Sequence, residues 1–387
     1  MKAHPRAGKL ISQKKGPEPF SAFMPEPLPP QPSINLDADL QELTDKANRA
    51  IGRLDSVTFL LPDPALFLYM HIRKEAVLSS QIEGTQSTMS DLLLFEANDA
   101  SDVPVDDVQE VSNYIKAMQH GLDRLREGFP LSLRLIREIH EVLLDQTRGS
   151  DKSPGEFRVS QNWVGGTRPG NALFVPPPPE EVMNCMGALE KFLHGDPVRM
   201  PLLVKAGLVH VQFETIHPFL DGNGRIGRLL ITFLLCAEGA LSEPMLYLSL
   251  YLKRNRQNYY DLLQKVREEG AWEEWLRFYL EGIIEVSTQA TETSRRIVNL
   301  FEEDRDSIQN LGRAATSAFA VHELLKRKAV LSIPAASREL HLGQPTVTSA
   351  VRHLEKFGII SEITGKKRGR LFVYSRYLDI LKEGSES

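Results

Sequence analysis

The sequence predicts a mainly α protein, with an all-helical core that carries one β-hairpin and, after it, a small helix-turn-helix domain ending in a basic hairpin. Three observations predict this. Apolar residues recur at helical spacing through most of the chain. Strand-like patterning bounded by Gly and Pro is confined to 157–175 and 359–374. The sign of the charge reverses near residue 312.

The chain has 387 residues, 42% hydrophobic and 25% charged, an ordinary balance with room for two or three cores. It contains no apolar run of about twenty residues, and its basic N-terminus leads into prolines and polar residues. Neither a membrane span nor a signal peptide is therefore expected, and the expected location is cytoplasmic. Cys185 and Cys236 fall in apolar helical patterns, which gives neither a disulfide framework nor a metal site.

Taken in order, residues 1–33 hold eight prolines and read as an arm. Leu36, Leu40, Leu43, Ala47, Ala50, Ile51 and Leu54 then mark a first core helix. A second spans 64–83, with Gly84 just beyond as its C′ residue. Helices follow over 107–127 and 132–147, the latter capped by Ser132 and burying Leu133, Ile136, Ile139 and Leu143. The stretch 157–175 reads as a hairpin turning at Gly165-Gly166-Thr167-Arg168-Pro169-Gly170 and stopped by four prolines. Helices over 201–216, with Pro201 in the first helical position, and 226–237 flank a polar loop. Further helices carry Tyr259-Tyr260 and then Trp272, Trp275, Phe278 and Leu280, reaching about Phe301. The expected division is an arm (1–33), N-terminal helices (34–110), a core (111–305) and a C-terminal domain (306–387).

The loop is where the chemistry lies: His217-Pro218-Phe219-Leu220-Asp221-Gly222-Asn223-Gly224-Arg225-Ile226-Gly227-Arg228. Positive φ angles across Asp221-Gly222-Asn223-Gly224 would aim successive N–H groups at one spot ahead of a helix N-terminus, a site for a phosphate. Arg225 and Arg228, three apart, would reach the same side of the loop and hold two further phosphates, so a polyphosphate fits best. Asp221 would repel such a ligand without a hard cation between them, and Mg²⁺ bridging two phosphate oxygens resolves the conflict. His217 can take a proton from an incoming hydroxyl, since its unperturbed pKa lies near neutrality.

The run HPFLDGNGRIGR matches the signature of the Fic family, H-P-F-x-[DE]-G-N-G-R-x-x-R, without a departure, and the chain resembles that family over about 36–301. The resemblance implies AMP transfer from ATP to a Tyr, Thr or Ser hydroxyl of a protein, the chain itself included. It makes His217 the base and Asp221 the Mg²⁺ ligand between α- and β-phosphates. It also makes Gly222, Asn223 and Gly224 the anion hole, and it assigns the β- and γ-phosphates to Arg225 and Arg228, with Ile226 and Gly227 in the same ATP-binding stretch. The family's phosphotransferase branch has lysine at the Gly224 position, so glycine here favours AMP transfer. Ser79-Ser80-Gln81-Ile82-Glu83-Gly84 resembles the family's inhibitory motif, [ST]-x-x-x-E-[GN], which implies that Glu83 pairs with Arg228 and denies the γ-phosphate its place. The 157–175 hairpin resembles the family's flap, with Val164, Gly165, Gly166 and Thr167 at the ATP. Tyr259 and Tyr260 resemble the wall of its adenine pocket. Some relatives place an asparagine seven residues after the second tyrosine, where this chain has Arg267.

Beyond the core, 334–340 and 345–357 form a helix-turn-helix pattern, and strands at 359–363 and 371–374 flank Gly365-Lys366-Lys367-Arg368-Gly369-Arg370, as in a winged helix. Residues 312–387 hold 13 Lys and Arg against 7 Asp and Glu, net +6 within a chain of net −5, which leaves −11 on the rest. That split suits a DNA-binding module: Gln344, Thr346, Thr348, Ser349 and Arg352 would face the major groove, while Lys366, Lys367, Arg368 and Arg370 would meet phosphates. A winged helix also serves dimerisation or target docking, so a homodimer stands beside DNA as a partner. The expected function is an autoinhibited protein adenylyltransferase. The alternatives are a DNA-binding regulator that uses the core as an ATP sensor, and a de-AMPylase in which Glu83 positions a water at the same site.

Overall fold

The computed structural model describes residues 2–13, 18–60, 64–96, 105–365 and 369–383. The first elements lie where an arm was expected. Strands β1 (Gly8–Gln13) and β2 (Phe20–Pro25) pair antiparallel, Gly8 opposite Pro25 and Gln13 opposite Phe20. The hairpin is fastened to the core: Phe23 is fully buried against Phe174 at 6.0 Å, its N–H donates to the Val175 carbonyl at 2.8 Å, and Arg6 grips both oxygens of Glu273. Proline content hid these strands, because what orders them is a partner surface far along the chain.

The N-terminal helices are α1 (Ala38–Leu60), α2 (Pro64–Ile82), α3 (Met89–Glu96) and α4 (Val105–Arg126). The sequence reading missed α3, a short helix whose buried residues are Met89, Leu92 and Leu93. The expected division at 110/111 falls inside α4. Next comes α5 (Leu133–Leu144), opened by Ser132 as expected, its side chain accepting from the Leu135 N–H, with Leu135, Ile136, Ile139, His140 and Leu143 buried.

After the 157–175 segment follow α6 (Val182–Leu193), α7 (Leu202–Ile216) and α8 (Asn223–Ala237). Every residue of α7 after Leu202 is buried, the polar Lys205, His210, Gln212 and Glu214 included, so this helix runs through the centre of the core. Pro201 is its cap, one position earlier than expected. Short α9 (Ser249–Arg254) and α10 (Arg256–Glu269) lead to α11 (Trp272–Gln309), which packs along α1 and crosses α7, where the Trp275 indole donates to the Gly207 carbonyl at 2.9 Å.

The expected boundary at 305/306 cuts α11, which stays helical because Leu300, Phe301, Asp304 and Ile308 are buried. Phe301 packs on Tyr374 and Tyr377, and Asp304 accepts from the Tyr374 hydroxyl, so the helix carries the C-terminal module. That module comprises α12 (Ala315–Lys328), β3 (Val330–Ser332), α13 (Ile333–Leu340), α14 (Gln344–Lys356), β4 (Ser361–Glu362), β5 (Leu371–Val373) and α15 (Ser375–Lys382). Its antiparallel sheet has the order β3-β5-β4, with β3 an addition to the two strands expected. On α14, Val347, Ala350, Val351 and Leu354 point inward, while Gln344, Thr346, Ser349 and Arg352 are exposed and Thr348 is half-buried. Arg370 lies over the Phe372 ring at 5.0 Å, whereas Lys366, Lys367 and Arg368 fall outside the described residues.

Candidate active site

Helix α7 stops at His217, which adopts left-handed φ 49°, ψ 60°. A non-glycine residue holds that conformation only where its surroundings impose it. Here the His217 carbonyl accepts from Arg158 Nε at 2.9 Å and from Asn162 Nδ2 at 3.2 Å. Asn162 Nδ2 also reaches the Phe219 carbonyl at 2.8 Å, and the Arg158 backbone N–H donates to Pro218. Neither residue was singled out from the sequence; their signal was two polar side chains in a supposed strand.

These anchors also explain why 157–175 is not a regular hairpin. Its side chains bond to the loop instead of its backbone zipping across, and only the Val164–Phe174 bridge forms. Gly165 and Gly166 turn the chain at φ near +70°. Thr167 and Arg168 donate their N–H groups to Asn171, so Gly166 and Thr167 face the segment's own turn.

Of the four loop residues expected at positive φ, only Gly222 is left-handed, at φ 78°, and it caps α8. Asn223 and Gly224 are already helical, because the Asn223 side chain closes the loop on itself: its Oδ1 accepts from the Phe219 N–H and its Nδ2 donates to the Phe219 carbonyl, both at 2.9 Å. The N–H groups free to meet an anion are thus those of the first turn of α8, which lack intrahelical partners, and not a run of left-handed residues.

The two arginines diverge. Arg228 is buried; its Nε donates to Ser79 Oγ at 2.8 Å, and its NH2 donates to the Ser79 carbonyl at 2.9 Å and to Glu83 Oε1 at 2.7 Å. Arg225 turns the other way, 3.6 Å from both Asp221 Oδ1 and Glu110 Oε2. Its Nε and NH1 are buried without a hydrogen-bond acceptor among the described residues. The two guanidinium groups go to carboxylates far apart in the chain, Arg228 to Glu83 just after α2 and Arg225 towards Glu110 on α4, which spacing along α8 could not reveal. Glu83 follows the end of α2, where Gly84 adopts φ 101° as the C′ residue. A Cβ on Gly224 would stand 2.1 Å from Glu83 Oε1, so any larger residue would displace that carboxylate from its present place.

A cavity of about 880 Å³ opens here, lined by Glu83, Val164, Gly165, Phe174, Glu214, His217, Gly224, Arg228, Tyr259, Tyr260 and Arg267 among others. Tyr259 is buried and shares a hydrogen bond with His210 at 2.9 Å, leaving the half-open Tyr260 as the ring presented to a ligand. Arg267 stacks on Phe174, 3.8 Å from the ring centroid, and donates to Thr215. Ile226 and Gly227 are buried in α8, the Gly227 carbonyl bonded to His210.

Charge is strongly tuned in this space. Burial, aided by the Arg267 and Arg158 cations, lowers the His217 imidazole to about 4, so it is neutral at physiological pH. Burial raises Glu214 to about 7 against the pull of Arg228, and its Oε2 lies 4.0 Å from His217 Nδ1. For Glu83, burial opposes ionisation, but Arg228 overcomes it and holds the carboxyl below its usual range. Among the described residues no group of three or more His, Cys, Asp or Glu side chains is placed to hold a metal ion. No described helix is long and apolar enough to cross a membrane.

Residues 41–123 match the Fic/DOC family N-terminal model, and residues 130–235 match the Fic/DOC family model. A protein named protein adenylyltransferase Fic from Aedes aegypti is 36% identical over 149 residues, covering 38% of this chain and 27% of that protein. One named probable protein adenylyltransferase from Aquifex aeolicus is 37% identical over 207 residues, covering 53% of this chain and 58% of the relative. The chain therefore spans less than two thirds of either relative. The crystal structure of a Fic family protein from Desulfovibrio desulfuricans superposes with a TM-score of 0.58 at 20% identity, covering 88% of this chain and 97% of that one, a likeness of fold alone.

Proposed function

We propose that this chain, which carries a Fic/DOC N-terminal domain and a Fic/DOC core, is an autoinhibited protein adenylyltransferase that moves AMP from ATP to a protein hydroxyl. The observation that carries this reading is the convergence in one cavity of a neutral histidine, a helix N-terminus and Arg228, with Glu83 holding Arg228. His217 accepts the proton of the target Ser, Thr or Tyr hydroxyl. The oxygen attacks the α-phosphorus, the bond to the β-phosphate oxygen breaks, and pyrophosphate leaves.

The N-terminus of α8 and the Arg225 donors that lack a hydrogen-bond acceptor among the described residues stabilise the phosphates. Asp221 is a single carboxylate, which fits Mg²⁺ brought in by a nucleotide and not a resident metal, since Mg²⁺ needs only one or two protein carboxylates when phosphates supply the rest. When bound, the ion would neutralise charge between the phosphates.

The test is α-³²P-ATP with Mg²⁺: label should appear on protein, and its absence from every protein, the chain included, would remove the proposal. The acid limb of kcat/KM in the Glu83→Gly form should lie no higher than about pH 4, because a base with a depressed pKa stays deprotonated down to that value and the Glu83 carboxylate that raises it is gone. An acid limb near 6.5 would indicate a solvated imidazole.

A second reading concerns the C-terminal module, and the observation favouring it is that Thr346, Ser349 and Arg352 are exposed on α14 of a net-basic segment. As a winged helix it would bind duplex DNA, and replacing Lys366, Lys367, Arg368 and Arg370 by alanine should weaken binding and flatten its salt dependence. Unchanged binding, or none by the full chain at low salt, counts against it.

A further inference from the structure

We propose that His140 of α5 is a positioning residue for the Asp221 end of the phosphate site, an inference that rests on the nucleotide reading above. The imidazole is fully buried, and both of its nitrogens are used. Gly155 donates its N–H to Nδ1 at 2.9 Å, which makes Nδ1 the acceptor. Nε2, 3.0 Å from the Asp221 carbonyl oxygen, must then carry the proton and donate it. The ring lies flat on Phe219, centroids 3.7 Å apart and planes 7° apart, so it cannot turn.

The peptide it holds is the one joining Asp221 to Gly222. The carbonyl of that unit goes to His140, and its N–H donates to Asp221 Oδ1 at 2.6 Å. A peptide is planar, so fixing the carbonyl direction fixes the N–H, and through it the orientation of the carboxylate expected to meet Mg²⁺. The same peptide enters Gly222 at φ 78°, the residue that starts α8, so its orientation also aims the first turn of that helix. Gly155 and His140 further tie this peptide to the loop that precedes Arg158, the anchor of the His217 carbonyl. His140 touches no reacting atom; it acts through Asp221, as outer partners of metal ligands do.

The test uses the full chain in the Glu83→Gly background, so that the lock does not mask nucleotide binding. His140→Gln places its amide nitrogen where Nε2 stands and keeps the donor to Asp221. His140→Asn reaches only as far as Nδ1, keeping an acceptor for Gly155 but losing that donor. Equilibrium ATP affinity is measured in EDTA and in Mg²⁺, with kcat beside it. The parent and His140→Gln should share the Mg²⁺-dependent gain in affinity, while His140→Asn should lose about tenfold or more of it. Equal gains in the two variants, or losses in both that follow their melting temperatures, would overturn the proposal.

¹⁵N NMR of the parent imidazole tests the same bond without any substitution. Protonated Nε2 with bare Nδ1 supports it, and the opposite tautomer, or a freely averaging ring, overturns it. A parent with no Mg²⁺-dependent gain at all would count against the proposed activity, while the tautomer still judges the His140 bond.

Discussion

Glu83→Gly is expected to raise self-labelling and target labelling by about 5- to 150-fold, the range of coupling free energies typical of such switches. The carboxylate sits 2.7 Å from Arg228 NH2, and a guanidinium so engaged cannot also serve a phosphate. Removing it does not set Arg228 adrift, because Ser79 still holds Nε and NH2 through its hydroxyl and carbonyl. The cation therefore remains aimed across the α8 N-terminus, and ATP can settle with its α-phosphate aligned for attack, on which transfer depends more than on affinity. Arg228→Ala should be slow with or without Glu83, so a double-mutant cycle should show the activation vanishing when the arginine is absent. Labelling by Glu83→Gly no faster than by the parent at saturating ATP and Mg²⁺ would reduce Glu83 to a helix-end residue.

His217→Ala is expected to lower AMP transfer by about 10²-fold or more while ATP affinity changes little. Its imidazole lines the cavity in neutral form, and the buried atom facing Glu214 is Nδ1. Nε2 is then the nitrogen that can accept a proton from the target. The loop backbone should survive the change, since it is held by Arg158, Asn162 and Asn223 and not by the imidazole. Single-turnover labelling in the Glu83→Gly background, alongside ATP binding by equilibrium titration, separates chemistry from affinity. Labelling that persists at the parent rate would remove His217 as the base.

What was legible in the sequence was what lies close along the chain. Twelve consecutive residues hold the histidine, the carboxylate, the helix start and both arginines, so a linear reading could assemble them. Most of the longer helices were equally open to it, because an apolar stripe repeats within a few turns, and Ser132 and Gly84 act within their own helix ends; the short α3 and α9 were not.

What the sequence alone left undecided depends on partners far apart in the chain. Arg225 and Arg228 diverge because Glu110 on α4 and Glu83 after α2 draw them apart. The strands β1 and β2 form because Phe23 finds Phe174 and Arg6 finds Glu273. His217 is neutral at physiological pH and Glu214 is raised to about 7 chiefly because the packed core strips their water. Local pattern fixes which backbone a segment prefers. Desolvation and the pairing of buried charges are set by the whole assembled core, so they decided where each side chain points and which protons it holds.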